Sequence, residues 1–204
     1  MGVDKPAPGE ELNLGEATTP REAATVIVLR GGGAALEVLL VKRNPEQRFM
    51  GGAWVFPGGA VDDGEDARAA GVREVAEEAA VALPDPDGLV EFSRWITPAQ
   101  VKIRFDTRFF LVAAPDDAAP VADGEECVEL GWYAPRAALE AYERGEILLV
   151  FPTIKTLEQL APFASAGELL GWATGREVVP IEPRVVMEGE VARVVLPGEP
   201  GYEG

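Results

Sequence analysis

Short apolar runs, separated by glycine-rich and proline-rich turns, predict strands in the first part of the chain. Residues 25–30 (TVIVLR) and 36–43 (LEVLLVKR) are typical of buried strands, and the glycines at 31–33 between them predict a hairpin. A third strand is predicted at residues 53–56. It is expected to end at Pro57-Gly58-Gly59, because proline lacks a backbone donor and glycine weakens a strand.

A helix is predicted over residues 66–83, where the apolar spacing changes to the helical period and the turn sequence PDPDG follows. Later segments predict further strands and short helices. This alternation is typical of an α/β sandwich with a mixed sheet. The later strands are predicted at residues 89–96, 107–113, 127–133 and 191–196, and the later helices at residues 135–144, 153–161 and 167–173.

The size of the chain is sufficient for one hydrophobic core. It has 204 residues, of which 47% are hydrophobic, so two large independent domains are not expected. We predict a flexible polar arm at residues 1–20 and one domain at residues 21–204, with a helical and strand extension from about residue 150. No apolar run approaches the ~20 residues of a membrane span. The N-terminus lacks the apolar centre of a secretory signal, so no membrane partner is expected.

Charge and residue usage exclude several classes of function. The net charge is −17 and no basic cluster is visible, which argues against a nucleic-acid polymer as partner. The chain has no histidine, which excludes Ser-His-Asp triads and histidine-based zinc sites. Cys127 is the single cysteine, so no intrachain disulfide forms and a reducing cytoplasm is expected. Acidic neighbours make Cys127 a poor nucleophile, and we interpret it as a half-buried strand residue.

The predicted helix at 66–83 carries three glutamates on one side. Glu74, Glu77 and Glu78 lie three and four positions apart, which places their Cβ atoms roughly 5–6 Å from one another. One interpretation is that these glutamates form a solvent-exposed acidic face without a ligand. The alternative is a binding site for a hard cation, since several carboxylate oxygens and retained waters suit Mg²⁺. The opposite, apolar face is predicted to consist of Val72, Val75, Ala76, Ala79 and Leu83.

The segment from Gly59 to Val81 resembles the Nudix hydrolases. Their signature requires glycine, five residues, glutamate, seven residues, Arg-Glu, an aliphatic residue, any residue, Glu-Glu, any residue, glycine and an aliphatic residue. Ala80 stands where the family has glycine, so the end of the helix is expected to shift, but no ligand is lost. The remaining positions agree, at Gly59, Glu65, Arg73, Glu74, Val75, Glu77, Glu78 and Val81.

The resemblance implies a Nudix-type α/β/α sandwich with a mixed central sheet, a small C-terminal helical extension, and a role for each signature residue. Glu74, Glu77 and Glu78, with the carbonyl of Gly58, would hold Mg²⁺, for which Mn²⁺ can substitute. Glu74 or a neighbouring carboxylate would take the proton of the attacking water. Arg73 would orient Glu74, and Glu65 would hold the loop or Arg73. Outside the signature, Glu125 or Glu126 is a candidate for an additional acid.

The implied reaction is Mg²⁺-dependent hydrolysis of a diphosphate linkage by attack of water on phosphorus. The expected substrate is a nucleoside diphosphate joined to another group, such as CoA or acyl-CoA, ADP-ribose or NADH. Residues 48–59 and 95–111 resemble the branch that contains acyl-CoA diphosphatases and their bacterial relatives. Phosphate-binding candidates are Arg43, Arg48, Arg104 and Arg108, and stacking candidates are Phe49, Trp54, Phe105 and Trp132.

Two other functions compete with hydrolysis. One is a catalytically silent Nudix domain that senses nucleotides or binds a partner. Such proteins usually lose signature carboxylates, whereas this chain keeps all of them. The other is an acidic structural domain without metal affinity. The resemblance also suggests a homodimer, formed through the N-terminal arm or the helices after Pro152.

Overall fold

A computed structural model describes residue 13 and residues 15–33, 35–48, 50–83, 85–188 and 191–202. The described strands are β1 (Arg21–Arg30), β2 (Glu37–Arg43), β3 (Ala53–Val55), β4 (Gly58–Ala60), β5 (Val90–Ile96), β6 (Phe105–Ala113), β7 (Cys127–Tyr133), β8 (Leu148–Leu149), β9 (Pro180–Ile181), β10 (Arg184–Glu188) and β11 (Val191–Val195). The described α-helices are α1 (Ala67–Ala79), α2 (Pro135–Glu143), α3 (Phe151–Leu160) and α4 (Ala166–Ala173).

The predicted hairpin of β1 and β2 is present, with Leu29 opposite Val38. Gly31 begins the turn at φ +97°, and a Cβ at this position would lie 1.8 Å from the carbonyl oxygen of Ala35. The turn therefore requires glycine there. Strand β1 starts four residues earlier than predicted, at Arg21, because its first half pairs in parallel with β6.

The central sheet is mixed, as predicted. Its order is β8-β3-β2-β1-β6-β5-β9, with β4 attached to β1 and β7 attached to β2. β1 and β6 run parallel over their whole length, whereas β1–β2, β2–β7 and β5–β6 are antiparallel. Strand β1 is central and is buried on both faces, so alternate residues enter different cores.

Helices cover both faces of the sheet, which confirms the predicted α/β/α sandwich. On one face, Val26 and Val28 of β1 pack with Val75 and Ala79 of α1. On the other, Ile27 and Leu29 pack with residues of α2, α3 and α4. The three C-terminal helices begin within two residues of the predicted positions. Among the described helices, none combines the length and the apolar character that crossing a membrane requires.

Helix α1 differs from its prediction at its C-terminal end. The Asp66 side chain caps its first turn by accepting hydrogen bonds from the amides of Arg68 and Ala69 at 2.9 Å. The helix ends at Ala79 instead of continuing to residue 83, because Ala80 adopts the left-handed conformation (φ 53°, ψ 30°) and its N–H closes the last turn. Ala80 thus takes the conformation that glycine usually takes at a helix end.

The buried face of α1 also differs in part. Val75 and Ala79 are buried as predicted, but Ala76 is exposed. Gly71 is buried instead, and a Cβ there would come within 2.7 Å of Val26 Cγ2. Because the helix lies so close to the strand at Gly71, its buried face is rotated toward Gly71 and Glu78. The buried face therefore differs from the apolar face that the sequence predicted.

Residues 1–12 and 14, most of the predicted arm, lie outside the described residues. The described remainder is attached to the segment between β5 and β6. The Asn13 amide donates to the Gln100 carbonyl at 2.7 Å, and the Thr18 hydroxyl donates to the Lys102 carbonyl at 3.1 Å. The division of the chain into arm and domain stays a prediction.

Candidate active site

The carboxylate of Glu78 is buried at the point where α1 faces β4. The residue is 2% exposed, in contrast to the prediction that it shares a polar face with Glu77. Its Oε2 accepts a hydrogen bond from the Gly58 amide at 3.0 Å, whereas its Oε1 is buried and has no hydrogen-bond partner in the described structure. A buried carboxylate oxygen without a partner is costly and points to a group that pairs with it in the working protein.

Two glycines of β4 make room for these carboxylates. A Cβ at Gly59 would lie 2.3–2.7 Å from the carboxylate atoms of Glu74. A Cβ at Gly58 would lie 2.4 Å from the Ala24 carbonyl oxygen of β1. Glycine is therefore needed at position 58 so that β4 fits against β1, and a side chain at position 59 would displace the Glu74 carboxylate.

Arg73 connects three of the four signature glutamates. Its guanidinium donates to both oxygens of Glu65, at 3.2 and 3.0 Å, and to the carbonyl oxygen of Ala60 at 3.0 Å. It also donates to Glu74 at 2.7 Å and to Glu77 at 3.0 Å. A planar guanidinium can bind several carboxylates at once in fixed directions. The contacts agree with the positions expected for Arg73 and Glu65, and their catalytic relevance remains a proposal.

The surroundings change the protonation of these acids in different directions. Burial raises the pKa of Glu78 to about 7, and the Gly58 amide opposes this only in part. Burial also raises the pKa of Glu74, against the lowering effect of Arg73. The hydrogen bonds from Arg73 lower the pKa of Glu65. Burial raises the pKa of the Cys127 thiol. Cys127 lies in a strand as predicted, but it is fully buried instead of half-buried.

The loop before β7 brings three more acids, Asp123, Glu125 and Glu126, to the cavity. The Asp123 side chain accepts hydrogen bonds from the amides of Glu125, Glu126 and Cys127, at 2.9, 3.1 and 2.9 Å. Asn44 holds the same loop from the end of β2. The charge of Glu126 contributes to the raised pKa of Glu74, so the candidate acid lies near the signature carboxylates. The sequence reasoning missed Asp123, although Asp-Gly before two acids is a turn signal.

A cavity of about 700 Å³ opens beside these acids. Its acidic end contains the glycines of β4, the glutamates of α1 and the loop before β7. Its other end is apolar and is lined by side chains from β5, β6, the start of α3 and the hairpin of β10 and β11. The side chains of that apolar end include Trp95, Phe105, Phe109, Val150, Phe151 and Val185. Of these apolar lining residues, the sequence analysis predicted only Phe105.

Only some of the predicted substrate-binding residues line the cavity. Arg43 and Glu126 line the cavity, and Arg43 Nε is buried without a hydrogen-bond partner in the described structure. Arg48 is exposed and lies outside the lining. Arg108 is also outside it and pairs with Glu91 at 3.2 Å. Neither position supports the prediction of phosphate binding.

Two other predictions are wrong because tertiary contacts occupy the side chains. Trp54 is buried in the core under α2 and α3, where it packs edge-on against Tyr133 at 5.4 Å, so it offers no stacking surface. Arg104 is buried and binds Glu182 at 2.7 Å and the Thr18 carbonyl at 2.7 Å. Among the remaining aromatic candidates, Phe49 lies outside the described residues.

Trp132, the last aromatic candidate, lies outside the cavity lining. Its ring is covered by the guanidinium of Arg30, at 4.3 Å from the ring centroid.

The donor set fits a hard divalent cation. Carboxylate and carbonyl oxygens are the ligands that Mg²⁺ prefers, and the partnerless Oε1 of Glu78 provides one buried donor. In the described parts of the chain, no three acidic or cysteine side chains already converge on one point. The reason is local: Glu74 and Glu77 accept hydrogen bonds from Arg73, whereas Glu78 accepts one from Gly58.

Comparisons with known proteins agree with this arrangement. Residues 19–151 match the NUDIX domain family. The chain is similar to putative nudix hydrolase 7 of Caenorhabditis elegans, with 28% identity over 72% of this chain and 63% of the relative. It is also similar to the acyl-coenzyme A diphosphatase NUDT19 of Homo sapiens, with 32% identity over 58% of this chain and 33% of the relative. The chain therefore spans less than two thirds of the length of both curated relatives.

Among solved structures, a NUDIX hydrolase from Alicyclobacillus acidocaldarius superposes with a TM-score of 0.67 and 28% identity, covering 76% of this chain and 96% of that protein. The sandwich, the signature segment on β4 and α1, and the match over residues 19–151 lead to the same assignment. The chain belongs to the Nudix hydrolase family.

Proposed function

We propose that the protein hydrolyses a diphosphate linkage in a nucleoside diphosphate derivative, with Mg²⁺ as cofactor and Mn²⁺ as a possible substitute. The observation that carries the proposal is the pair formed by the buried carboxylate of Glu78 and the half-buried carboxylate of Glu74 beside β4. Arg73 holds Glu74, and both glutamates line a cavity of about 700 Å³. Cavities of roughly 300–1,000 Å³ are typical for small-molecule ligands.

The carboxylates and Gly58 would bind the cation. Glu74, Glu77 and Glu78 supply oxygen donors, and the Gly58 carbonyl completes the set. Bound Mg²⁺ neutralises diphosphate oxygens and lowers the pKa of coordinated water. Glu74 or Glu126 would receive the proton that the attacking water loses, because both lie at the acidic end of the cavity.

Arg73 and Glu65 act as positioning residues in this proposal. Arg73 fixes the direction of the Glu74 carboxylate, and Glu65 holds Arg73 with two hydrogen bonds from the far side. Since attack on phosphorus depends on small differences in position and charge, fixed carboxylates favour the transition state.

The candidate substrates are CoA and its acyl esters, ADP-ribose and NADH. The name of the human relative supports the first of these. Arg43 and Arg21 line the cavity and could neutralise phosphate oxygens, since Arg73 is engaged by carboxylates. A homodimer and a cytoplasmic location are also proposed, supported by the family resemblance and by the single buried cysteine.

The proposal is tested by incubating the protein with Mg²⁺ and each candidate substrate, and by identifying the products by mass spectrometry. We expect phosphate monoesters, loss of activity on chelation, recovery with Mg²⁺ or Mn²⁺, and a decrease of kcat by orders of magnitude in Glu74→Gln. Glu91→Gln is the matched control, because Glu91 pairs with Arg108 outside this cavity. Undiminished turnover in Glu74→Gln would contradict the role of that residue.

A further inference from the structure

The cavity extends beyond the part of the chain that matches the NUDIX family. The match ends at residue 151, yet Pro152, Thr153, Pro183, Val185 and Val194 also line the cavity. Three of these belong to the C-terminal segment at β10 and β11. The acidic end thus lies within the family match, whereas part of the cavity lining comes from the C-terminal segment that follows it.

Val185 and Val194 form one apolar surface on the hairpin of β10 and β11. They are direct partners in the antiparallel register, so their side chains lie on the same face. Both residues line the cavity and neither is fully buried, so their side chains remain available to a ligand. β10 and β11 form a two-stranded sheet that is separate from the central one.

The base of the hairpin is fixed to the rest of the molecule by polar contacts. Buried Arg104 binds Glu182 at 2.7 Å, and the Tyr202 hydroxyl donates to the Glu182 carbonyl at 2.8 Å. Arg184 donates to the Tyr202 carbonyl at 2.7 Å. These contacts explain why Arg104 is buried and paired. Of these contacts, the Arg104–Glu182 pair joins the chain just before β10 to the residue that precedes β6.

The chemistry of this end suits an apolar group that carries one acceptor. The same lining includes Trp95, Phe105 and Phe109, and its described arginines are Arg21, Arg43 and Arg73. Trp95 is 5% exposed, and its Nε1–H is buried without a hydrogen-bond partner in the described structure. An indole N–H is a donor only, so it would pair with a carbonyl, ester or hydroxyl oxygen.

We infer that the hairpin of β10 and β11 determines substrate specificity, and that Val185 and Val194 contact an apolar acyl or aryl group attached to the diphosphate-bearing part of the substrate. The inference rests on the proposed function. The apolar end of the cavity would then bind a part of the substrate that does not take part in the reaction. Val185 and Val194 therefore affect binding of that group, and the carboxylates of α1 affect turnover.

The test compares CoA with octanoyl-CoA, which share the diphosphate and differ in the apolar chain. In the double variant Val185→Thr/Val194→Thr, we expect KM for octanoyl-CoA to rise roughly tenfold, because each change replaces an apolar contact by a hydroxyl of nearly equal size. We expect kcat, and KM for CoA, to stay unchanged. Val179→Thr is the control, since Val179 is exposed and lies outside this cavity. Equal effects on both substrates, or none, would overturn the inference.

A second measurement separates this inference from the proposed function. Calorimetric titration of chelator-treated protein with CoA and octanoyl-CoA reports binding even when nothing is hydrolysed. If octanoyl-CoA binds more tightly than CoA, and the double variant loses this difference, the result supports a contact of Val185 and Val194 with the apolar group, whatever the outcome of the activity assay. Equal affinity for both ligands in the unmodified protein contradicts it. If the threonine variant fails to fold, Val185→Leu/Val194→Leu narrows the cavity and should weaken binding of the octanoyl ligand alone.

Discussion

The two ends of the cavity are built in different ways. The acidic end comes mainly from one continuous stretch, from Gly58 to Glu78, with the loop at residues 123–126 added. The apolar end is assembled from β5, β6, the start of α3 and the C-terminal hairpin, which are far apart in the chain. Local structure thus positions most of the groups that we propose to react, whereas the tertiary fold determines the shape of the proposed substrate pocket.

This difference predicts separate kinetic effects for the two ends. Changes near the carboxylates should lower kcat for every substrate by a similar factor, because they alter the groups that act on the diphosphate. Changes at the hairpin should alter KM for some substrates only. Variants of the acidic end, taken from the largest expected effect to the smallest, test that separation.

Gly59→Ala should lower kcat roughly 100-fold, because the added methyl group would overlap the Glu74 carboxylate and displace it by about 1 Å. The measurement is steady-state kinetics with CoA and octanoyl-CoA, for which the decrease should be the same. Gly88→Ala is the matched control, since a Cβ there meets no atom within 4 Å and should leave kcat unchanged. A decrease of kcat for only one of the two substrates would contradict the prediction that the two ends of the cavity have separate kinetic effects.

Arg73→Lys should lower kcat by about 10- to 100-fold, with little change in KM. Lysine keeps the charge but cannot hold Glu65, Glu74 and Glu77 at the same time. Arg144→Lys serves as control, because Arg144 makes its paired contacts to Glu146 on the surface. Wild-type turnover in Arg73→Lys would show that Glu74 needs no orienting partner.

Asp123→Ala should lower kcat several-fold and destabilise the protein by about 1–2 kcal/mol, since three loop amides lose their acceptor. Thermal unfolding and kinetics with both substrates measure the two effects. Asp123→Asn keeps the accepting oxygen and should restore most of the activity. Equal damage in the alanine and asparagine variants would mean that the negative charge of Asp123 matters more than its hydrogen bonds.

Ala80→Gly should stabilise the protein by about 1 kcal/mol, because glycine adopts the left-handed conformation of Ala80 without strain. The melting temperature should rise by about 2–4 °C, and kcat should not change. Ala76→Gly is the opposite control: Ala76 lies in an exposed helix interior, where glycine should cost about 1 kcal/mol. A lower melting temperature in Ala80→Gly would contradict the strain at this position.

Much of the fold could be predicted because local patterns decide it. The hairpin of β1 and β2, the mixed sheet and the order of the helices follow from apolar periodicity and turn residues. The start of β1 could not be predicted, since its first residues become a strand by pairing with β6 about 80 positions later. The exposure of Ala76 and the burial of Glu78 follow from the close contact at Gly71, which depends on how the helix docks.

The burial of Glu78 and the approach of the loop at residues 123–126 depended on tertiary packing. The sequence by itself indicated the rest of the acidic end, because the residues from Gly59 to Glu78 lie on one strand, one loop and one helix whose geometry is local. The same stretch also indicated the family. Only the tertiary structure decided which arginines and aromatic residues face the cavity. It buried Trp54 and Arg104, left Arg48 outside, and placed Val185 in the lining of the cavity. The physical reason is that these positions depend on long-range pairing and packing, which no short segment of the sequence encodes.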